Sequence, residues 1–151
     1  MSRSNDGTLL QDKTQEVLDE RKQRLPEYYT RYPDSKAARR LIHNAPGDFI
    51  WNTKAKAVLL ECKSTVKSAS LLSLAKAEPA QIGYHKLWLR SGLPSLYLYA
   101  DYSKGVLEAY CGKQVVEAVA SGSRKLLPII HVPSLDYTKL LNECETFITY
   151  S

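Results

Sequence analysis

The stretch that decides the fold runs from residue 47 to residue 63 and reads Gly47-Asp-Phe-Ile-Trp-Asn-Thr-Lys-Ala-Lys-Ala-Val-Leu-Leu-Glu-Cys-Lys63. Two apolar runs flank a short polar segment, which is typical of two strands joined by a tight turn, here at about 48–52 and 56–63. Because side chains alternate along a strand, Glu61 and Lys63 are expected on one face of the sheet and Cys62 on the other.

Asp48 precedes Glu61 by 13 residues, an interval that lets the open ends of such a hairpin meet. Two carboxylates and the Lys63 ammonium then converge on one point. Mg²⁺ prefers carboxylate oxygens and keeps several waters, so Asp48 and Glu61, with the backbone carbonyl of Cys62, are predicted to hold one. Such an ion polarises a phosphate and lowers the pKa of a bound water. Lys63 is either a structural counter-ion or a catalytic group that neutralises developing charge, and the sequence leaves both open.

The composition is that of an ordinary globular protein, with 44% hydrophobic and 25% charged residues in a chain of 151. We expect a single domain over 1–151, with a flexible start over 1–7 and a C-terminal extension of the core over 112–151. A net charge of +5 allows a polyanionic partner without proving one. No apolar run approaches the ~18 residues of a membrane span, so no membrane partner is expected.

Cysteine and histidine offer no competing site. The three cysteines and three histidines are scattered, without the spacing of a zinc site or a disulfide framework. Three reduced thiols in a cytoplasmic protein are the simplest interpretation.

The remaining patterns predict an α/β protein whose mixed central β-sheet is flanked by helices. Gly92 is a plausible C-terminal cap for the second helix, and Pro79 stands where that helix begins. The predicted elements are a helix over 8–25, an edge strand or extended segment over 27–33, the first hairpin, a loop over 64–73, a helix over 79–92, a second hairpin over 96–111, a short helix over 115–120, an apolar β-branched run over 126–132 and a final helix over 135–150.

The arrangement of Gly47-Asp48 followed by Glu61-Cys62-Lys63 resembles the PD-(D/E)xK nuclease superfamily. The later run Gln81-Ile-Gly-Tyr-His85 looks like the glutamine-containing helix of its Holliday-junction resolvase branch, which is found in archaea, Gram-positive bacteria and phages. The resemblance covers roughly residues 7–111 and implies a restriction-endonuclease-like core.

By this resemblance Asp48 and Glu61 would be metal ligands, Lys63 the catalytic lysine, and Gln81 a residue that positions water or phosphate. The cofactor would be Mg²⁺ or Mn²⁺, and the product a nick with a 5′-phosphate end. Two departures stand out. Gly47 replaces the usual proline, and the first helix lacks an acidic ligand at its usual place. Either Gln11 or Glu16 could serve instead, or the metal would be held by Asp48 and Glu61 alone.

Several polar residues around the site are candidates for contacts with the phosphate backbone of DNA. A solvated basic turn explains the first three of them equally well, and packing in the protein interior is the better interpretation of the histidine. The candidates are Lys36, Arg39, Arg40, Ser64, Lys67 and His85.

The sequence therefore leads to the hypothesis of a metal-dependent DNA endonuclease that resolves Holliday junctions. It would act as a homodimer, since a symmetric junction needs two nicks related by a two-fold axis. It would work in the cytoplasm of a bacterial host, with a phage or prophage origin. The alternatives are a repair or restriction-type nuclease with another DNA preference, and a non-catalytic DNA-binding protein on the same scaffold.

Overall fold

The computed structural model describes residues 5–32 and 47–151. These residues form helices and strands that alternate along the chain. In order they are α1 (Asn5–Arg24), β1 (Tyr28–Arg31), β2 (Phe49–Asn52), β3 (Ala57–Thr65), α2 (Leu71–Lys76), α3 (Pro79–Arg90), β4 (Ser95–Asp101), β5 (Val106–Cys111), α4 (Gly112–Ser121), β6 (Ile130–Val132) and α5 (Tyr137–Tyr150). None of these helices is both long enough and apolar enough to cross a membrane.

The strands form one six-stranded sheet in the order β1-β2-β3-β4-β5-β6. Neighbouring strands are antiparallel except β3 and β4, which run parallel. A parallel pair needs a crossover connection, and α2 and α3 supply it. The predicted mixed α/β sheet flanked by helices is confirmed at this level.

Alternation along the strands divides the core into two layers. Leu60 and Cys62 of β3 face the layer that contains α1 and α5. Tyr97 and Tyr99 of β4 face the opposite layer, which contains α2, α3 and α4. Because Glu61 lies between Leu60 and Cys62, its side chain belongs to the second layer, as the alternation predicts.

Three boundaries differ from the sequence-based prediction. Helix α1 begins at Asn5, inside the segment expected to be a flexible start. The serine-rich segment predicted as a loop over 64–73 contains the start of α2, because the Ser70 hydroxyl accepts a hydrogen bond from Ser73 N at 3.1 Å and caps that helix. Strand β3 continues to Thr65, since Asp101 of β4 extends the pairing that far.

Residues 112–151 were expected to extend the core and in fact complete it. Strand β6 pairs with β5 at the edge of the sheet. Leu140, Cys144 and Ile148 of α5 are fully buried in the same cluster as Leu10 of α1. The C-terminal segment is thus one wall of the main core.

A buried guanidinium ties this last helix to the rest of the chain. Arg21 Nε donates to Glu27 Oε1 at 2.7 Å, and its Nη2 donates to Glu145 Oε1 at 2.9 Å. Trp51 Nε1 also donates to Glu27 Oε1, and the guanidinium lies 5.4 Å from the Trp51 ring centroid. Burial by itself lowers the pKa of Arg21, but the hydrogen bonds to the two carboxylates outweigh it and raise the pKa.

This network predicts unequal losses of stability at the two carboxylates. Glu27→Gln is expected to cost about 3 kcal/mol, because it leaves a buried charge without its main partner. Glu145→Gln is expected to cost about 1 kcal/mol or less, since Glu145 is 39% exposed. Urea unfolding followed by circular dichroism measures both. Glu20→Gln, which removes the exposed partner of Arg24, is the control. Equal decreases in the free energy of unfolding for all three variants would show that the burial of Arg21 does not strengthen its ion pair with Glu27.

Candidate functional site

The backbone at Asp48 is clamped onto strand β3. Asp48 N donates to Leu60 O at 3.0 Å, and Asp48 Oδ2 accepts from Cys62 N at 2.7 Å. A Cβ at Gly47 would lie 2.9 Å from Leu59 Cδ1 and 3.0 Å from Leu60 O, so a residue with a side chain would push the two segments apart. Glycine in place of the usual proline therefore permits the close approach, and the predicted meeting of the hairpin ends is confirmed.

Asp48 and Glu61 form a buried carboxylate pair. Their exposed fractions are 5% and 1%. Burial raises the pKa of Asp48 well above its ordinary range, and the charge of Glu61 and a hydrogen bond with Glu61 raise it further. The Cys62 amide and the Lys63 charge oppose this shift but do not cancel it. The two carboxyl groups therefore share a proton when no cation is present, because two adjacent carboxylates cannot both stay ionised in such surroundings.

Lys63 lies beside this pair and is held by helix α3. Its Nζ donates to Gln81 Oε1 at 2.7 Å and stands 3.8 Å from Glu61 Oε2. It also donates to Glu78 Oε1. The structure thus brings together Asp48, Glu61, Lys63 and Gln81, as the motif predicts.

Glu78 is a site residue that the sequence prediction missed. It is the residue before Pro79 at the start of α3, and its side chain is 45% exposed, so the site opens to solvent here. A signal was present in the sequence, because Glu78, Gln81 and His85 stand at i, i+3 and i+7, which places them on one helix face.

His85 is packed in the protein interior, the interpretation that the sequence analysis preferred to a DNA contact. The side chain is fully buried. Its Nε2 lies 3.2 Å from Glu61 Oε1, and its Nδ1 is hydrogen-bonded to Ser95 Oγ. Burial lowers the pKa of His85 to about 3; the Lys63 charge also lowers it, and the Asp48 charge opposes the shift. The imidazole is therefore neutral, and its contact with Glu61 is a hydrogen bond and not an ion pair.

The two candidates for a first-helix ligand are separated by the fold. Glu16 is 67% exposed and pairs with Lys13 at 3.6 Å on the surface of α1. Gln11 is buried, and its Oε1 accepts from Arg31 Nη2 at 3.3 Å. Arg31 is paired with Phe49, the residue after Asp48, which places Gln11 at this end of the sheet.

The predicted DNA contacts fall into three groups. Lys36, Arg39 and Arg40 lie outside the described residues. Ser64 alternates with Lys63 and so belongs to the opposite face of β3. Lys67 is exposed just beyond β3, where Thr65 Oγ1 accepts from its backbone N at 3.0 Å.

The donor set fits a hard cation. Within residues 5–32 and 47–151, three or more His, Cys, Asp or Glu side chains are nowhere arranged to hold a metal ion. Mg²⁺ needs only one or two carboxylates and completes its shell with other oxygens. The bond from Cys62 N to Asp48 shows that the backbone of Cys62 faces the Asp48 side, where the pairing of β2 has ended, so its carbonyl can be one such oxygen.

The buried hydroxyl of Tyr97 is a second observation that fits an oxygen ligand at this site. It is fully buried and paired with Glu61 across β3 and β4, and its ring centroid lies 4.7 Å from that of His85. Among the described residues its hydroxyl lacks a hydrogen-bond partner. Burial raises the pKa of Tyr97, and the charges of Glu61, Glu78 and Asp48 raise it further. A lone donor near three carboxylates fits a place for a water or phosphate oxygen.

A scan of protein-family models found none that matches the chain, and a search of curated proteins found no significant match. The resemblance to the nuclease superfamily therefore depends on the motif and on the geometry described above.

The shared proton predicts that Asp48→Asn stabilises the metal-free protein. As the pH rises, an unfolded Asp48 loses its proton first, so the wild type loses stability between the ordinary pKa of an aspartate and the raised pKa of folded Asp48. The advantage of the variant should be small below about pH 4 and reach about 0.5–2 kcal/mol at pH 8. Thermal unfolding in EDTA at several pH values measures it.

Glu16→Gln is the control for this comparison, since an exposed substitution changes stability by less than about 0.5 kcal/mol. A wild type that is more stable than Asp48→Asn at pH 8 would contradict the proton-sharing pair.

Tyr97→Phe is predicted to act in opposite directions on stability and on ligand binding. It removes a buried hydroxyl without a protein partner, so the metal-free protein should gain up to about 1 kcal/mol. The same change should weaken Mn²⁺ binding or DNA cleavage severalfold if the hydroxyl meets an oxygen ligand. Denaturant unfolding and Mn²⁺ titration measure the two effects. Tyr110→Phe, which loses a bond to Glu108 Oε1 at 2.7 Å, is the matched control and should be destabilised.

Proposed function

We propose that this protein is a metal-dependent DNA endonuclease of the PD-(D/E)xK type. The observation that carries the proposal is the buried Asp48–Glu61 pair, which lies within reach of the Lys63 ammonium. Burying two like charges destabilises a fold, and such an arrangement is typical of a functional site. A divalent cation bound between the two carboxylates would offset their electrostatic repulsion and would account for their burial.

The restriction-endonuclease-like core is part of the same proposal. Its support is the order of the elements around the site. Asp48 stands at the start of β2, the Glu61 and Lys63 pair lies on the antiparallel neighbour β3, and the Gln81 helix leads to the parallel strand β4. This order agrees with the sequence resemblance over the same residues.

The proposed chemistry assigns a task to each side chain. Asp48 and Glu61, with the carbonyl of Cys62, would hold Mg²⁺ or Mn²⁺, which when bound polarises the scissile phosphate and lowers the pKa of a water. The Lys63 ammonium stabilises negative charge that develops on the phosphate oxygens. Gln81 keeps that ammonium in place through its 2.7 Å hydrogen bond.

Glu78 competes with the substrate for Lys63. Its carboxylate accepts a hydrogen bond from the ammonium in the free protein and lies at the open side of the site. An arriving phosphate, which is also an anionic oxygen acceptor, takes the place of this carboxylate. Because Glu78 is half-exposed, water then solvates it at little cost.

A four-way DNA junction is the substrate that the resemblance favours. The net charge of +5 suits a polyanion, and the exposed Lys67 would contribute a phosphate contact. A homodimer would make the two symmetric nicks that resolution requires, in the cytoplasm of a bacterial host. A repair or restriction-type nuclease with another DNA preference shares the same site chemistry. A non-catalytic DNA-binding protein is the remaining alternative.

A nicking assay tests the activity. Labelled four-way junction, linear duplex and single strand are incubated with Mg²⁺, with Mn²⁺ and with EDTA. We expect nicks near the branch point that require the metal. Lys63→Met should lower the rate by about 10²–10³-fold, because it removes one charged donor from the transition state.

Lys54→Met is the matched control, since Lys54 lies exposed in the turn at the other end of the β2–β3 hairpin. Its rate should equal that of the wild type. Binding of all three DNAs without cleavage would leave the non-catalytic alternative. Equal cutting of junction and linear duplex would assign the protein to a repair or restriction-type nuclease.

A further inference from the structure

We propose that His85 is a positioning residue that fixes the orientation of the Glu61 carboxylate, and that Ser95 in turn fixes His85. The inference deepens the proposed function and rests on it, because the orientation of Glu61 matters for a cation that Glu61 holds.

The contacts of His85 account for both of its ring nitrogens. The side chain is fully buried, with Nε2 at 3.2 Å from Glu61 Oε1 and Nδ1 bonded to Ser95 Oγ. A neutral imidazole has one donor and one acceptor nitrogen. An ionised carboxylate only accepts, so Nε2 carries the proton and Nδ1 accepts from the Ser95 hydroxyl. The two partners thereby select one tautomer.

The ring is held in this position from two sides. Tyr97 packs against it, with ring centroids 4.7 Å apart. Ser95 is itself buried under the start of α4, where a Cβ at Gly112 would lie 2.7 Å from Ser95 O. Only glycine leaves room for Ser95 there, so the start of α4 packs directly against the serine that contacts the imidazole.

The two carboxylate oxygens of Glu61 have different neighbours. Oε1 accepts the hydrogen bond from His85, while Oε2 is directed toward Lys63 at 3.8 Å. Oε2 therefore lies on the Lys63 side of the carboxylate, where a cation bound at the proposed site would meet it. Hydrogen bonds to the carboxylates and histidines that hold a metal orient them, and their loss typically weakens binding about 10–100-fold.

Two substitutions at the same position separate positioning from packing. The amide of His85→Asn can occupy the place of Nδ1 and meet Ser95, but it does not reach Glu61. The longer His85→Gln places an amide N–H where Nε2 stands and can donate to Glu61. Both create a comparable loss of ring packing against Tyr97, so their losses of stability should be similar.

The readout is the affinity for Mn²⁺ in the absence of DNA, measured by electron paramagnetic resonance, alongside the melting temperature. We expect His85→Asn to bind Mn²⁺ about 10–100-fold more weakly than the wild type, and His85→Gln to restore most of the affinity. Equal affinities for the wild type and His85→Asn would overturn the positioning role. So would equal losses in both variants, because they would point to packing alone.

A measurement on the unaltered protein makes the test independent of how the variants fold. The ¹⁵N chemical shifts of the His85 ring, recorded with saturating Mg²⁺, should report the tautomer with the proton on Nε2. A proton on Nδ1 would overturn the inference. If the wild type binds neither Mn²⁺ nor Mg²⁺, the proposed function fails and the positioning role with it; a wild type that binds Mn²⁺ no more tightly than His85→Asn contradicts the positioning role alone.

Discussion

The structure around the site depends on removing two neighbouring carboxylates from water. Asp48 and Glu61 can lie this close only because a proton or a cation offsets their mutual repulsion. The fold supplies the rest of the compensation locally. The Cys62 amide donates to Asp48, the imidazole of His85 is hydrogen-bonded to Glu61, and the Lys63 ammonium lies 3.8 Å from Glu61 Oε2. Each of these partners comes from β3 or from α3.

Side chains of β3 alternate between the two layers of the protein. Glu61 and Lys63 face the layer of α3, where Gln81 and His85 meet them. Cys62 faces the main core and contributes only its backbone to the site. The chemistry is thus confined to one face of the sheet, while the opposite face is free to form an ordinary apolar core.

Much of this arrangement could be predicted from the sequence because it is local. The hairpin from Asp48 to Lys63 follows from alternating apolar residues and a short turn. The resemblance implied that Gln81 belongs to the site, and its Oε1 lies 2.7 Å from Lys63 Nζ. The exposed position of Glu16 was not predictable in the same way. The sequence does not show which face of α1 is turned toward the sheet, so it cannot distinguish a buried acidic residue of that helix from an exposed one. The partnership of His85 with Ser95 was missed because it depends on the packing of α3 and α4 against β4, which has no local signature.

Helix α2 was missed because amino-acid composition alone did not distinguish a loop from the start of a helix. Serines suggested a loop over 64–73, and one of them instead starts a helix whose Leu71 and Ala75 are buried. Serine is common both in loops and at helix N-termini, and only burial of the following residues decides between them. The sequence predicted that residues 112–151 extend the core, but it could not show that the apolar face of α5 packs against that of α1, because this contact joins the two ends of the chain.

The Arg21 network has a consequence for the order in which the chain matures. Its guanidinium stands in α1, while Glu145 and Asn142, two of its partners, lie in the last helix. During synthesis, domains acquire structure as the chain emerges, so α1 and β2 are available long before α5. Until α5 arrives, one side of the Arg21 site stays open to solvent and α1 lacks the apolar wall that Leu140 and Ile148 provide. The main core and the Arg21 network are therefore closed only after α5 has been synthesised.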